Sequence, residues 1–330
     1  MISIIIPVFN KDHYISEVLE DIKKQFFTDF ECIIVDDGSN DNSGKICDAI
    51  AKNDNRFHVI HIENSGVSHA RNTGLDIATG EYVTVIDADD RIEPNYLEHL
   101  DKDAVETKAD MVICGMKKFW ISDHADEFTT VPYSGLMGKQ TLLPDFASVQ
   151  KSSGIFGYCC GKLIRRDLIG NTRFSEWLKL AEDFDFYLQI YPRVKTIYFD
   201  TECKYHYLQE AENSSAIRSS ENIDFFSQLK LNLRYREFLK NSGHYSGSNR
   251  DTVESLLSDY AFFTVLYSPR IQVKERLHNV HELAAKEKIN LTGDGFMRKT
   301  LMRCIKSDSG MTAENILRLY DLLRKIKRRY

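Results

Sequence analysis

Two clusters of carboxylates within the first 100 residues point to chemistry at the edge of a sheet. Asp36–Asp37 follows the apolar run Glu31–Val35, and Asp87–Asp90 follows the apolar run Tyr82–Ile86. Ligands of open α/β sheets bind beyond the carboxyl ends of the strands, where neighbouring acids repel one another unless a cation separates them. Carboxylates suit hard cations, so the pattern predicts a Mg²⁺ or Mn²⁺ site that also holds phosphates. Each acidic turn taken alone is more typical of local turn formation, whereas the two turns together, on strand ends of one sheet, favour a site.

Other phosphate-binding and hydrolytic motifs are missing from the sequence. The turn after the first apolar run is Pro7–Asn10 and contains no G-x-G-x-x-G. Gly157–Leu163 is one residue short of a phosphate loop, and Leu163 stands where such a loop needs a metal-binding hydroxyl. G-x-S-x-G and H-E-x-x-H are also absent. The sequence therefore disfavours dinucleotide enzymes, P-loop enzymes, serine hydrolases and zinc proteases.

The elements that would position the acids alternate between strand and helix patterns. Short apolar runs, short connections and intervening helical periodicity predict a mostly parallel, doubly wound α/β sheet. The predicted strands of the first third are Ser3–Val8, Glu31–Val35, His58–Ile62, Tyr82–Ile86 and Met111–Cys114. Residues 117–155 are polar and irregular, Tyr198–Tyr207 predicts a further strand, and a boundary is expected near 215–220. The candidate helices after that boundary are Phe225–Leu239, Thr252–Tyr267, Val273–Glu287 and Asn315–Arg329.

Composition and charge place the chain among soluble globular proteins. Of its 330 residues, 42% are hydrophobic and 28% are charged, which excludes a disordered or collagen-like chain. A net charge of −6 disfavours a nucleic-acid partner. No apolar stretch approaches the roughly 18 residues of a membrane span, and MISIIIPVFN lacks the basic start of a signal peptide. The 7 scattered cysteines predict reduced thiols, so a cytoplasmic location is expected.

Several longer stretches occur together in one order and spacing. In the first part of the chain they are Ile4–Asn10 (IIIPVFN), Val35–Ser43 (VDDGSNDNS), Glu63–Gly74 (ENSGVSHARNTG), Gly80–Tyr82 and Asp87–Asp90. A second block follows at Lys162–Arg166, Arg173–Phe174 and Ala181–Asp183. Together these stretches resemble the family 2 glycosyltransferases of GT-A fold. The resemblance implies an α/β, Rossmann-like GT-A domain with a mostly parallel doubly wound sheet, followed by a helical C-terminal region.

The resemblance also divides the chain into three parts. Residues 1–115 would bind the nucleotide sugar, and residues 116–218 would form the acceptor-binding half of the same domain, with the catalytic base. Residues 219–330 would form a helical C-terminal domain, about whose specificity the resemblance implies nothing.

Roles in binding a UDP-sugar donor follow from the same resemblance. Asp89 would be the main ligand of Mn²⁺ or Mg²⁺, which neutralises the departing diphosphate, and Asp87 would lie nearer the ribose or sugar. Asp37 would accept a hydrogen bond from uracil N3–H, because an ionised carboxylate can accept hydrogen bonds but cannot donate them. Arg71 would lie near the nucleotide, although a solvated helix face explains it equally well. The implied donor-binding residues are Pro7 and Phe9 as walls of the base, Asp37, Arg71, Asp87, Ala88 and Asp89.

Catalysis is assigned by the resemblance to a second acidic run. Asp183 would be the general base of an inverting transfer, taking the proton of the acceptor hydroxyl as its oxygen attacks the anomeric carbon. Glu182 would orient Asp183 or the acceptor. An acid favoured by the helix dipole explains the same position, and Asp185 is an alternative base. His206, between two tyrosines, would face the metal or diphosphate, with structural packing as its alternative.

These assignments predict an inverting, metal-dependent glycosyltransferase. It would move a hexose or N-acetylhexosamine from a UDP-sugar to a hydroxyl of a glycan or lipid-linked saccharide. A nucleotidyltransferase that makes an activated sugar is one alternative, but Pro7–Tyr14 offers no glycine and a single lysine to grip a triphosphate. A non-catalytic carbohydrate-binding or scaffold protein is another, and the converging acids argue against it. The helical region is also compatible with oligomerisation.

The end of the chain, residues 315–330, reads NILRLYDLLRKIKRRY. A helix over this segment would be basic on one side and apolar on the other, which is typical of a helix on an anionic membrane surface. Such a contact would place the enzyme beside a lipid-linked acceptor, on the inner face of the plasma membrane. The same apolar face would equally well close the protein's own helical domain. The predicted apolar face consists of Ile316, Leu319, Tyr320, Leu323, Ile326 and Tyr330.

Overall fold

A computed structural model gives the fold of the chain. It describes residues 1–120, 127–129, 131–209 and 223–327. The chain divides into two compact units, Met1–Glu221 and Asn222–Tyr330. Among the described residues, no helix combines the length and the apolar character needed to span a membrane.

A mixed sheet runs through the first unit. Its strands are β1 (Ile2–Val8), β2 (Phe30–Asp36), β3 (Phe57–His61), β4 (Tyr82–Val85), β5 (Arg91–Ile92), β6 (Met111–Trp120), β7 (Glu127–Thr129), β8 (Gly135–Gly138), β9 (Lys162–Arg165) and β10 (Thr196–Gln209). The order is β3-β2-β1-β4-β9-β6-β10-β5, with β7 beside β6 and β8 beside β10. The pairs β1–β2, β1–β4, β2–β3 and β6–β10 are parallel, and β9 lies antiparallel between β4 and β6. The predicted α/β class with a mostly parallel central sheet is confirmed.

The apolar sequence of β1 explains its place inside this sheet. Every residue of Ile2–Val8 is buried, and a strand covered on both faces reads as a continuous apolar run. The register pairs Val8 with Asp36 on β2 and Ile5 with Val85 on β4. The carboxyl ends of β1, β2 and β4 therefore meet at one edge of the sheet.

Helices connect the strands of the first unit. They are α1 (Ile15–Lys23), α2 (Ser43–Ala51), α3 (Val67–Ile77), α4 (Tyr96–Thr107), α5 (Lys139–Leu142), α6 (Phe146–Ser153), α7 (Arg166–Ile169) and α8 (Glu182–Ile190). Two of them begin close to the edge where the carboxyl ends of β1, β2 and β4 meet. Helix α3 starts after Gly66, and α8 starts after Ala181, whose φ of 60° ends the preceding loop in a left-handed turn.

The second unit is helical over its described residues. Its helices are α9 (Phe225–Asn241), α10 (Gly247–Leu266), α11 (Val273–Glu287), α12 (Phe296–Lys306) and α13 (Gly310–Lys327). Helix α12 is not among the helices predicted from the sequence, although its buried residues Leu301, Met302, Cys304 and Ile305 follow helical spacing. In α13 the buried side chains include Ala313 and Leu317, whereas Leu319 and Tyr320 are 57% and 38% exposed. Over residues 310–321 the fully buried positions therefore differ from the predicted apolar face, whose members Leu323, Ile326 and Tyr330 lie outside the described side chains.

Candidate active site

The carboxyl ends of the central strands bring the predicted donor-binding acids to one edge of the sheet. Asp37 directly follows β2, and its N–H donates to the Val8 carbonyl at the end of β1 at 2.8 Å. Next to β1 on the other side, the Ile86 N–H donates to the Ile5 carbonyl at 3.1 Å, and Asp87 follows at once. Parallel pairing thus places both acidic turns on the same side of the sheet, where ligands of such sheets bind.

Asp37 is a buried carboxylate that fixes the turn before α3. It is 3% exposed, and its two oxygens accept the backbone N–H groups of Ser65 at 2.7 Å and Gly66 at 2.8 Å. The φ of 94° at Gly66 lies in the region that favours glycine. Close by, at the end of β1, Pro7 is buried and Phe9 is 42% exposed. The residues predicted to bind the base therefore lie together, and the orientation of Asp37 is fixed.

Asp89, the predicted metal ligand, forms a direct ion pair with Nζ of Lys11. Lys11 lies in the loop after β1, and its N–H donates to Ser43 Oγ at 2.8 Å. The side chains of Lys11 and Asp89 are 33% and 30% exposed. Burial raises the pKa of the Asp89 carboxyl, the Lys11 charge opposes this rise, and the charge of Asp87 adds to it. A cation beside Asp89 therefore stabilises its ionised form. Ala88, between the two acids, is buried.

Arg71 on α3 joins the acid that follows β4 to the first residue of α8. Its Nη2 donates to Asp87 Oδ1 at 3.0 Å, and its Nη1 donates to Glu182 Oε1 at 2.8 Å. Only 6% of the Arg71 side chain is exposed, and its guanidinium lies 5.4 Å from the ring centroid of Phe174. Arg71 is therefore not on a solvated helix face. It lies at the predicted site as a bridge between two carboxylates.

Asp183, the predicted base, is half-buried in the first turn of α8. Burial and the neighbouring Glu182 charge raise the pKa of the Asp183 carboxyl to about 7, against the lowering effect of the nearby cations. Asp185, the alternative base, is fully buried, and its Oδ2 accepts the hydroxyl of Ser175 at 2.6 Å. Of these two aspartates, Asp183 is the one that an acceptor hydroxyl can reach.

Lys162 on β9 is a buried cation that the sequence analysis did not single out as a site residue. It is 1% exposed, its Nζ donates to the Tyr158 carbonyl, and the same atom lies 4.5 Å from the ring centroid of Tyr187. Burial lowers the pKa of Lys162 to about 8. Its charge and that of Arg71 lower the pKa of Asp183. The electrostatic environment of the predicted base thus includes two buried cations.

Tyr205 and Asp90 form a buried pair behind the acidic turn. The Tyr205 hydroxyl donates to Asp90 Oδ2 at 2.5 Å and accepts the N–H of Asp87 at 3.2 Å. Asp90 is fully buried and also accepts the N–H of Leu208 at 2.9 Å. Burial raises the pKa of the Asp90 carboxyl, and the charges of neighbouring acids raise it further. The pair fastens the turn after β4 to β10, and no short motif in the sequence indicates it.

His206 lies on the face of β10 opposite to Tyr205. Successive side chains of a strand point to opposite faces, so Tyr205 faces Asp90 while His206 does not. His206 Nε2 lies 3.1 Å from Glu93 Oε1, and burial lowers the pKa of the imidazole. The structure thus pairs His206 with Glu93 and places it on the opposite strand face to Tyr205, which contacts the acidic turn.

The chemistry of Asp87 and Asp89 fits a hard divalent cation. Both are partly exposed carboxylates, with 28% and 30% of their side chains accessible. Within the described ranges, no group of three or more His, Cys, Asp and Glu side chains is arranged to hold a metal ion. Mg²⁺ is commonly held by one or two carboxylates together with substrate phosphates. Asp89 therefore suffices as a carboxylate ligand for a cation whose shell the donor and water complete.

The charged side chains of this α/β sheet gather at the carboxyl ends of its strands, where the ligands of such sheets bind. The profile of the family "Glycosyl transferase family 2" matches residues 3–170. The chain belongs to this family. Glycosyltransferase GlyG of Streptococcus pneumoniae is 34% identical over 56% of this chain and 62% of its own length. Glycosyltransferase EpsJ of Bacillus subtilis is 31% identical over 68% of this chain and 65% of its own length. The chain thus spans less than two thirds of each of these relatives.

Solved structures share the fold across nearly the whole chain. Residues 1–349 of Staphylococcus aureus TarS, in complex with UDP-GlcNAc, superpose with a TM-score of 0.66 and 19% identity over 97% of this chain and 91% of that chain. A mannosyltransferase from Pyrobaculum calidifontis, in complex with GDP-Man and Mn²⁺, gives a TM-score of 0.50 and 16% identity over 97% of this chain and 87% of that chain. At such identities the likeness concerns the fold, and the predicted GT-A fold with a helical C-terminal region is confirmed.

Proposed function

We propose that this protein is an inverting glycosyltransferase that moves a hexose or N-acetylhexosamine from a UDP-sugar to a hydroxyl of a saccharide. The observation that carries the proposal is the bridge through Arg71, which joins Asp87 at the end of β4 to Glu182 at the start of α8. The bridge holds the predicted base, Asp183, close to the acids predicted to bind the donor. Holding both reactants at one edge would make the attack effectively intramolecular.

In the proposed reaction Asp183 is the general base. The acceptor oxygen gives its proton to the Asp183 carboxylate and forms a bond to the anomeric carbon of the donor. The bond from that carbon to the diphosphate oxygen breaks, and the diphosphate leaves with the electron pair, so that the configuration inverts. The raised pKa of Asp183 supports this role, because a base works best when its pKa lies near the working pH. A divalent cation held at Asp89 would neutralise charge on the departing diphosphate.

The choice of uridine rests on Asp37. Each of its oxygens accepts one backbone N–H, and a carboxylate oxygen has a further lone pair for a donor such as uracil N3–H. Cytosine presents an acceptor at the same atom and would be disfavoured. The TarS structure with UDP-GlcNAc shares the fold, which supports a UDP-sugar without selecting the sugar.

For the acceptor we propose a glycan or lipid-linked saccharide, approached from a membrane surface that residues 315–330 contact peripherally. On α13, Leu319 is 57% exposed, and Arg318 beside it pairs with Glu314 at 2.6 Å. Exposed apolar and basic side chains on one helix suit an anionic membrane surface. The buried Leu317 packs within the helical unit. Helix α13 would therefore both pack in this unit and contact the membrane surface.

A donor panel tests the proposed function. The protein is incubated with Mn²⁺ and UDP-glucose, UDP-galactose, UDP-N-acetylglucosamine or UDP-N-acetylgalactosamine, and the released UDP is measured. We expect metal-dependent UDP release from at least one donor, slowly to water and faster with an acceptor. No release from any donor, combined with pyrophosphate formation from UTP and a sugar 1-phosphate, would instead identify a nucleotidyltransferase. Saccharide binding without either activity would identify a carbohydrate-binding protein.

A further inference from the structure

Lys11 contacts the carboxylate to which the proposed reaction assigns the divalent cation. We propose that Lys11 and the divalent metal are alternative partners of Asp89, and that Lys11 moves to the donor diphosphate when metal binds. The inference rests on the proposed function, because a diphosphate donor is what offers the ammonium group its second partner. It makes Lys11 a donor-binding residue in addition to the residues that the sequence predicts.

The backbone of Lys11 is fixed while its ammonium group can change partners. Its N–H donates to Ser43 Oγ at 2.8 Å, and its carbonyl accepts the N–H of Ile15 at 2.9 Å at the start of α1. A flexible stem of four methylene groups separates this anchor from Nζ. The side chain is one third exposed, and Nζ lies 5.8 Å from the ring centroid of Tyr14, at the outer limit of a cation–π contact. The ammonium can therefore swing within the site without any change in the loop.

The neighbouring acids have partners of a different kind. Asp87 is bonded to Arg71, whose side chain is 6% exposed and is held at a second carboxylate as well. Asp37 is bonded to backbone N–H groups. Asp89 instead has a partner that is flexible and open to solvent. Of these three carboxylates, Asp89 is the one that can exchange its positive partner for a metal ion.

Exchange keeps the charge at this edge balanced at each stage. Without the donor, the ammonium group of Lys11 compensates Asp89. When a dication and a diphosphate arrive together, the dication takes over that compensation, and the diphosphate brings negative charge for the released ammonium. Lysine binds phosphate as a compact point charge, so the same group serves either partner. The proposed exchange predicts that loss of the Lys11 side chain strengthens metal binding and weakens nucleotide binding.

Binding measurements on Lys11→Met test both halves of the proposal. Mn²⁺ binding without nucleotide is followed by the loss of the free-ion electron paramagnetic resonance signal, and UDP binding at saturating Mn²⁺ by calorimetry. From the interaction of unit charges near a protein surface, we expect Mn²⁺ to bind at least about fivefold more tightly to Lys11→Met. UDP should bind at least about fivefold more weakly. Lys24→Met is the matched control, because Lys24 is 68% exposed on the surface and pairs with Glu20 at 3.6 Å.

Two further variants make the result specific. Lys11→Arg keeps the charge and should keep the parental Mn²⁺ affinity, which also guards against a folding defect in Lys11→Met. In the Asp89→Asn background, Lys11→Met should give no gain, because the shared carboxylate is gone. Unchanged or weaker Mn²⁺ binding by Lys11→Met, an equal gain in the Asp89→Asn background, or no Mn²⁺ binding by either protein would overturn the competition. Unchanged UDP affinity would overturn the transfer to diphosphate. The Mn²⁺ titration uses no donor, so it stands or fails independently of the donor panel.

Discussion

Replacing Arg71 with methionine should destabilise the first unit strongly, because the variant leaves two carboxylates without their shared cation. Arg71 makes charge-assisted bonds of 2.8 Å to Glu182 and 3.0 Å to Asp87, with 6% of its side chain exposed. Removing one partner of a buried ion pair costs about 3–5 kcal/mol. The side chains of Glu182 and Asp87 are 13% and 28% exposed, so water solvates the two carboxylates in part. We therefore expect the free energy of unfolding to fall by about 3 kcal/mol, the lower end of that range.

Arg91→Met is the matched control for Arg71→Met. Arg91 also contacts two carboxylates, those of Glu17 and Asp21, but 42% of its side chain is exposed. Exposed pairs of this kind contribute about 0–1 kcal/mol. In urea titrations followed by circular dichroism, Arg71→Met should lower the midpoint by about 1 M and Arg91→Met by far less. Equal losses for the two variants would refute the view that Arg71 is a buried bridge.

Arg71→Met should also change the pH dependence of the reaction. The Arg71 charge lowers the pKa of Asp183, so its removal should raise that pKa further. Because the base must be ionised, the acid limb of the kcat profile should move to higher pH in Arg71→Met and return towards the parental position in Arg71→Lys. A profile that stays in place while kcat falls would assign Arg71 a purely structural role.

Three further outcomes follow from the proposed reaction. Asp183→Asn should keep donor binding and lower kcat by about 10²–10⁴-fold, and parental kcat should fall as pH drops through about 7, where the Asp183 carboxyl takes up its proton; normal turnover at saturating donor would remove Asp183 as the base. UDP should inhibit far better than CDP or GDP, and Asp37→Ala should narrow that difference; equal inhibition of the parent by all three would refute uracil recognition. Leu319→Glu should reduce sedimentation with anionic vesicles while leaving the melting temperature unchanged, since Leu319 is 57% exposed; a parent protein that ignores such vesicles at low salt would refute membrane contact.

The central strands could be predicted from the sequence because their signals are local. Ser3–Val8 predicts a buried strand, and β1 spans Ile2–Val8. Continuous apolar runs leave little choice of structure when short polar turns separate them. The acidic turns at Asp37 and Asp87 could be placed at one edge for the same reason, since parallel pairing brings the carboxyl ends of the strands together.

The partners of the side chains could not be predicted in this way. Lys11 and Asp89 are 78 residues apart in the chain, and Arg71 and Glu182 are 111 residues apart, so no local pattern records either pair. His206 illustrates the same limit within a strand. Register shifts occur in β10 before Tyr205, and a shift by one residue exchanges the two faces of a strand. Counting positions from the sequence therefore could not decide whether a tyrosine or the histidine faces the acids.

The different partners of four similar carboxylates explain why they suit different roles. Asp87 and Glu182 share the buried Arg71, which fixes their positions, as orientation of a donor and a helix requires. Asp89 has the exchangeable partner Lys11, as suits a ligand of an incoming cation. Among the described residues, no cation lies within ion-pair distance of Asp183, and burial raises the pKa of its carboxyl. Protonation stabilises a carboxylate most when no counter-ion pairs with it directly. Asp183 is therefore the member of this set that is best suited to act as the base.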